Sequence, residues 1–418
     1  MLIISKPFPA TGRPSSGNGY TDFLMPLDIA AVQQSLKAEE LDGWLLYDFH
    51  GSNPIAARLA GTAGSAKMTT RRWFYLVPAA GEPRGLVHAL ERSTLDALPG
   101  EKTVYAGRGQ LEAGLTALLS GVKRVAMEYS RECAIPYISR VDAGTVELVR
   151  NRGVDVQSSG DLVQRFEAVW DDRALATHRA ASEALYRVKD RAFELVARRL
   201  RENEAMTEFA IQQQMASWFD EEGLTSDSHP VVASQENAGN PHYLPTARST
   251  RPIGRDEILL LDLWAKKTDD PQAVYADITW VGFTGRNIPT AMARAFEAIR
   301  QARDAAAALV QESAREQRDL RGWQVDRAAR MVLERAGFGE RILHRTGHSL
   351  GHDVHGNGVH MDDYESHDDR RLLPGTGFTI EPGLYFESFG VRTEINMYYG
   401  QRDAPITGPA QTEIVQLQ

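Results

Sequence analysis

The chain has 418 residues, 42% of them hydrophobic and 25% charged, with 47 Lys and Arg against 56 Asp and Glu for a formal net charge of −9. These are the fractions of a folded globular protein; they exclude disordered and collagen-like classes, and the length asks for two domains rather than one. An acidic chain without a basic run argues against nucleic acid as partner, and no apolar run reaches the about 18 residues of a membrane span. The lone cysteine, Cys133, permits no internal disulfide, and Met1–Pro26 is rich in Gly, Pro and Ser without the basic and apolar regions of a signal peptide. A reducing, cytoplasmic location is therefore expected.

In chain order, Leu27 to Glu40 has helical spacing, and Trp44–Tyr47, Trp73–Val77 and Val125–Met127 are short apolar, aromatic-rich runs of the kind that form strands. With a further helix over Leu111–Leu119, residues up to about 168 read as an α/β domain with a partly parallel sheet. No Gly-rich phosphate loop follows any of these strands. The pattern changes near Trp170. Residues 173–200 form one long helical stretch with Leu185, Val188, Ala192, Leu195 and Val196 on a common face, and a second helix over Thr207–Glu222 stops at Gly223. Strand-like segments follow at His229–Val232, Ile258–Leu263 and Val274–Phe283. After Pro289 the order repeats, with helices at Ala291–Glu316 and Trp323–Ala336 and strands at Phe378–Glu381 and Val391–Tyr398. Residues 169–418 are thus expected to be an α+β domain with an internal duplication of structure.

Two acidic pairs stand out. Asp262 closes an apolar run and Asp277 lies inside another, and the midpoint between them falls at Asp269–Asp270, beside Pro271. A simple hairpin about that turn sets the two carboxylates directly opposite, with Cβ atoms about 4.5–5.5 Å apart. Glu381 and Glu394 repeat the construction around Glu387–Ser388. Burying four carboxylates together costs several kcal/mol each unless a cation neutralises them, so a divalent metal is the economical expectation. Of the 11 histidines, His344, His348, His352, His355, His360 and His367 crowd one Gly-rich stretch. Spacing alone does not choose among them, and the His344–His348 pair lacks the glutamate and the helix of a zinc-protease motif.

At this point the chain resembles a known family, the pita-bread metallopeptidases that include Xaa-Pro aminopeptidase, Xaa-Pro dipeptidase (prolidase), methionine aminopeptidase and creatinase. The resemblance is carried by Leu260-Leu261-Asp262, Tyr275-Ala276-Asp277-Ile278-Thr279, His344-Arg345-Thr346-Gly347-His348, Asp353-Val354-His355, Thr379-Ile380-Glu381-Pro382-Gly383 and Arg392-Thr393-Glu394. It implies a creatinase-like N-terminal domain over 1–168 and a pita-bread catalytic domain over 169–418 with a pseudo-twofold repeat. It further implies that Asp262, Asp277, His348, Glu381 and Glu394 hold two divalent metal ions; four carboxylates and one imidazole suit manganese first, with cobalt, iron or zinc as alternatives. By the same resemblance Glu381, His355 and His242 are catalytic, and His344 and Arg392 bind substrate. The implied reaction is metal-dependent hydrolysis of the bond preceding proline in small peptides, and a homodimer is expected.

The sequence departs from the family in three places: Leu263-Trp264 follow Asp262, the stretch through Lys266 to Pro271 is longer, and Trp280 stands where arginine is common. These departures leave room for a metal-dependent non-peptidase acting on a small metabolite; a metal-free binding module would be expected to lose the ligand set. The resemblance to prolidases also implies an arginine for the substrate carboxylate ahead of the first glutamate, for which Arg370 and Arg371 are the candidates.

Overall fold

A computed structural model describes residues 27–63 and 69–418; the Met1–Pro26 stretch lies outside them. The N-terminal sheet contains β1 (Gly43–Asp48), β2 (Trp73–Pro78), β3 (Arg84–His88), β4 (Glu101–Tyr105), β5 (Arg124–Met127) and β6 (Asp155–Ser158), in the order β4-β3-β2-β1-β5-β6. β1 is antiparallel to β2 and parallel to β5, and β5 is parallel to β6, so the sheet is mixed. Every residue of β1 is buried because both faces are covered. Trp44 and Leu46 point into one core with α1 (Ile29–Ala38), α2 (Pro54–Leu59) and α5 (Gly160–Glu167). Leu45 and Tyr47 point into the other with α3 (Arg108–Leu118) and α4 (Ala143–Arg150).

The second half opens with α6 (Asp172–Glu202), capped by the Asp171 side chain and ended by Asn203 in the left-handed conformation. α7 (Glu208–Glu221) follows behind its Thr207 cap. Then come β7 (Leu224–Thr225), β8 (Val231–Ser234), β9 (Ile258–Lys267) and β10 (Ala276–Phe283). The helix–helix–strand order recurs with α8 (Thr290–Glu316), α9 (Gly322–Arg335), β11 (Ser349–Leu350), β12 (Thr376–Ile380), β13 (Gly383–Tyr385), β14 (Gly390–Arg392) and β15 (Ile395–Tyr399), before β16 (Val415–Gln416). One sheet has the path β16-β10-β9-β7 with β8 also on β9, and another is β11-β12-β15. Among the described residues no helix is long and apolar enough to cross a membrane.

Strand alternation decides where the acids go. On β9, Leu259, Leu261 and Leu263 pack with α6 and α7, while Ile258 and Leu260 face the α8 and α9 side. On β10, Ala276 and Ile278 belong to the first core and Val281 and Phe283 to the second. Asp262 and Asp277 therefore continue the stripes that face α8 and α9, on one side of the sheet.

Their pairing differs from the expected one. Asp262 lies opposite Thr279 and Asp277 opposite Trp264, so the two aspartates are diagonal neighbours. The strand pairs are centred between Asp270 and Pro271 instead of at Asp269–Asp270. That displaces the register by two residues, which preserves the face while removing the direct opposition. The second hairpin keeps the expected register. Ile380 pairs with Ile395 and Gly383 with Arg392, which leaves Glu381 and Glu394 at opposed positions between them.

Gly347 shows how tightly the second half closes. It forms an isolated bridge with Met361, and a Cβ there would stand 2.1 Å from the Thr379 carbonyl oxygen. Gly347→Ala should therefore cost about 1–3 kcal/mol of stability by pushing β12 away from His348, measured by urea unfolding. An alanine variant within a few tenths of a kcal/mol of the parent would show that the approach is not constrained.

Candidate metal centre

Asp262, Asp277, His348, Glu381 and Glu394 all line one cavity of about 570 Å³, together with His242, His344, His355 and Arg392. Asp277 (β10), His348 (just before β11) and Glu394 (just before β15) offer ligand atoms within 4.8 Å of one another. His348 Nε2 lies 3.5 Å from Asp277 Oδ2 and 3.5 Å from Glu381 Oε1. His348 Nδ1 faces the Ser349 carbonyl oxygen at 3.2 Å, and since a carbonyl only accepts, the proton sits on Nδ1. The Nε2 lone pair is thereby turned toward the carboxylates, and burial holds the imidazole's pKa well below its usual range.

The acids crowd one another without enough donors. Asp277 Oδ1 and Glu394 Oε1 are buried and have no hydrogen-bond partner. Thr279 Oγ1 lies 3.2 Å from Asp262 Oδ1 and 2.8 Å from Glu394 Oε2, but its single hydrogen can serve only one of them. Asp277 and Glu394 are pushed well above the ordinary carboxylate range, first by burial and then by repulsion from the other acids. Glu381 is pushed up to about 7 by burial, with the Arg392 guanidinium pulling the other way. Unpaired carboxylate oxygens and an imidazole lone pair converging in a buried pocket are the donor set a divalent cation takes, so these residues fit the metal the family resemblance implies.

Arg392 is the main cation against them. Its Nη2 donates to Asp262 Oδ2, its Nε to Thr279 Oγ1 at 3.1 Å, and its Nη1 to Tyr385 Oη at 2.9 Å. The Tyr385 hydroxyl in turn donates to His344 Nε2 at 2.7 Å, while His344 Nδ1 donates to the Arg345 carbonyl at 2.7 Å. His344 thus acts through Tyr385 on Arg392 and is held neutral, its pKa lowered to about 3 mainly by burial. His355 sets its ring edge-on to His348, with centroids 4.4 Å apart, and is exposed on its outer side. His242 also lines the cavity, its backbone N–H donating to Asn240 Oδ1 at 3.0 Å.

Arg370 and Arg371 do not reach the cavity. Arg370 is buried against Asp368, at 2.6 Å, and the carbonyls of Asn357 and Gly358; Arg371 faces Asp319 at 3.5 Å across an exposed surface. A neighbouring acid, Asp368, captures Arg370, and Asp319, distant in the chain, faces Arg371, which the spacing to Glu381 did not reveal. Several contributors were not singled out from the sequence. Thr279 and Asn396 sit two residues from Asp277 and Glu394, and Thr379 two from Glu381, so strand alternation was a usable signal for them. The Thr379 hydroxyl receives the His348 N–H at 3.0 Å, and Asn396 Oδ1 receives that of Asp277 at 3.0 Å. Tyr137 and Arg345 also line the cavity, and no pattern in the sequence joins them.

The sequence model of metallopeptidase family M24 matches residues 177–400. The chain is 27% identical over 338 residues to the protein named "Probable dipeptidase PepE" of Mycobacterium tuberculosis, covering 79% of this chain and 82% of that one. It is 31% identical over 169 residues to the Xaa-Pro dipeptidase of Lactobacillus helveticus, covering 39% of this chain and 40% of that protein. Among solved structures, dipeptidase PepE from Mycobacterium ulcerans superposes with a TM-score of 0.66 at 22% identity, over 93% of this chain and 96% of that one.

A carboxyl whose pKa is raised by folding stabilises the fold fully below its unfolded value near 4.5, and that contribution is lost as pH rises through the folded value, about 7 for Glu381. Metal-free protein should therefore lose stability between about pH 5 and 8, by on the order of 3 kcal/mol for Glu381 alone. The gap in melting temperature between manganese-loaded and chelator-stripped protein should widen over the same range. A gap independent of pH would contradict this account of the acids.

Proposed function

The chain belongs to metallopeptidase family M24, and from that premise we propose that it hydrolyses the peptide bond preceding proline in short peptides, with two divalent metal ions, manganese first, held by Asp262, Asp277, His348, Glu381 and Glu394. The observation that carries this reading is the convergence of those five side chains on one cavity with two carboxylate oxygens left unpartnered. When bound, such ions polarise the scissile carbonyl and acidify the attacking water. The proline preference draws on the relative named Xaa-Pro dipeptidase.

The residues divide the work by position. Glu381, lining the cavity beside His348 and Arg392, is placed to take a proton from the attacking water and pass it to the leaving nitrogen. Its Oε1 is turned toward His348 and Thr379, and its Oε2 faces Arg392 Nε at 3.9 Å. His355 and His242 donate to the oxygen on which charge develops. Arg392 forms an ion pair with Asp262 and, through Tyr385 and His344, is fixed in place. A bond preceding proline has no amide N–H, so the site need not supply an acceptor for one. Trp264 lines the cavity and donates its indole N–H to Asp227 Oδ1 at 2.7 Å, making the departure after Asp262 a wall that selects among substrate side chains.

Protein stripped with chelator should fail to cleave an Xaa-Pro dipeptide, and added manganese should restore cleavage. Glu381→Gln should lower kcat by about 10²–10⁴-fold in the loaded protein. Equal turnover by stripped and loaded protein would defeat the proposal.

A further inference from the structure

Glu208 opens α7, is fully buried, and takes no part in the chemistry above. Its carboxylate nevertheless gathers both ends of the segment that carries His242. Oε1 accepts from the Ser234 N–H at 2.7 Å, the Ser234 hydroxyl at 3.0 Å and Asn237 Nδ2 at 3.1 Å. Oε2 accepts from Asn237 Nδ2 at 3.0 Å, the Arg251 N–H at 3.0 Å and the Tyr243 hydroxyl. The Glu208 N–H completes the clamp by donating to the Arg251 carbonyl at 3.1 Å. Each group that meets the carboxylate is a donor, and an ionised carboxylate in the first turn of a helix is an acceptor on both oxygens. An amide of the same shape would turn a donor toward donors.

A short relay runs from that carboxylate to His242. The Asn237 carbonyl accepts the Asn240 N–H at 3.1 Å, and the Asn240 carbonyl accepts the Tyr243 N–H at 3.0 Å. Asn240 Oδ1 accepts the His242 N–H at 3.0 Å. Tyr243, next in the chain, lines the cavity and packs on the core behind it while its hydroxyl returns to Glu208. Burial and the Glu208 carboxylate push the phenol's pKa up, so it stays a donor. The turn Gln235–Gly239 is seated on the β13–β14 hairpin, where a Cβ at Gly239 would stand 2.2 Å from the Phe386 carbonyl oxygen. Among the described residues no hydrogen bond holds the His242 ring itself, so its backbone sets where the ring stands.

We propose that Glu208 is a positioning residue: through Asn237 and Tyr243 it holds His242 at the cavity, so the buried start of α7 decides how well that imidazole meets the oxygen on which charge develops. The inference deepens the peptidase reading and rests on it. A donor to a developing charge is effective only when its place is fixed before the reaction, and a displacement of about 1 Å is enough to cost on the order of 100-fold in rate. Loosening the clamp therefore acts on turnover and leaves the remaining substrate contacts in place.

The test measures kcat and KM on Ala-Pro with manganese for the full chain, for Glu208→Gln, Tyr243→Phe and His242→Ala, and for each of the first two combined with His242→Ala. The second readout needs no turnover: the NMR signal of the His242 ring Cε1–H in chelator-stripped, histidine-labelled protein, assigned by its loss in His242→Ala. Glu208→Gln and Tyr243→Phe should each lower kcat by about 10- to 100-fold with KM little changed. In the His242→Ala background each should cost no more than about twofold further. The His242 signal should shift in both variants while that of the buried His178 stays in place. Should Glu208→Gln fail to fold, Tyr243→Phe, which removes one hydroxyl from a partly buried ring, carries both readouts. Losses in kcat that recur undiminished without His242, or a His242 signal unmoved in Tyr243→Phe, overturn the proposal. Loaded protein that cleaves no peptide while its His242 signal still responds to Tyr243→Phe would overturn the peptidase reading instead and confirm that the clamp places His242.

Discussion

Mutual repulsion among acids packed into one buried cavity is the constraint on which the rest of the site depends. Asp262, Asp277, Glu381 and Glu394 come from two hairpins and share one oriented arginine, two threonine hydroxyls and one imidazole lone pair. Folding alone leaves this arrangement short of positive charge: two carboxylate oxygens have no partner, and burial drives Asp277 and Glu394 toward protonation. A scaffold that holds such a cluster must be stiff, because relaxation would let the acids part and reach water. Stiffness comes from β9 and β10, whose other faces lie against α6 and α7, and from the close backbone approach at Gly347.

The polar residues around the acids set direction more than they add charge. Thr279 and Thr379 lie on the same strand faces as the acids they touch, so the sheet that positions a carboxylate also positions its hydroxyl. The chain from Arg392 through Tyr385 to His344 ends on a backbone carbonyl, which fixes tautomer and ring together. Membership in metallopeptidase family M24 and the two-domain pita-bread fold are thus matched by a local chemistry that needs a cation. The N-terminal half touches this chemistry through Tyr137, and it grips the second half through Gln164, which donates to the Arg371 carbonyl at 2.7 Å, and Glu167, which accepts from Asn357 at 2.6 Å.

Much of this architecture was legible in the residues. Short apolar, aromatic-rich runs such as Trp44–Tyr47 read as strands, and the stripe from Leu185 to Val196 read as one face of a long helix. Elements without such contrast were not read: β4 is largely exposed, and the short helix α2 is held by an Asn53 cap and two buried residues. The hairpin symmetry about Glu387–Ser388 survived because both flanking ladders share one register. The symmetry about Asp269–Asp270 did not, because a loop longer than a tight turn lets the register shift in steps of two without changing which side chains are buried.

The sequence by itself determined the faces. The period of two along β9 and β10 commits Asp262 and Asp277 to one side of their sheet, because the other side carries the leucines, alanine and isoleucine packed on α6 and α7. Tertiary structure decided the partners. Only the closed fold turns Arg370 toward Asp368, sets Arg392 on Asp262, and brings Tyr137 from the N-terminal half against Arg345. Those contacts join positions far apart in the chain or select among several nearby acids, and neither relation leaves a period that a linear pattern can record.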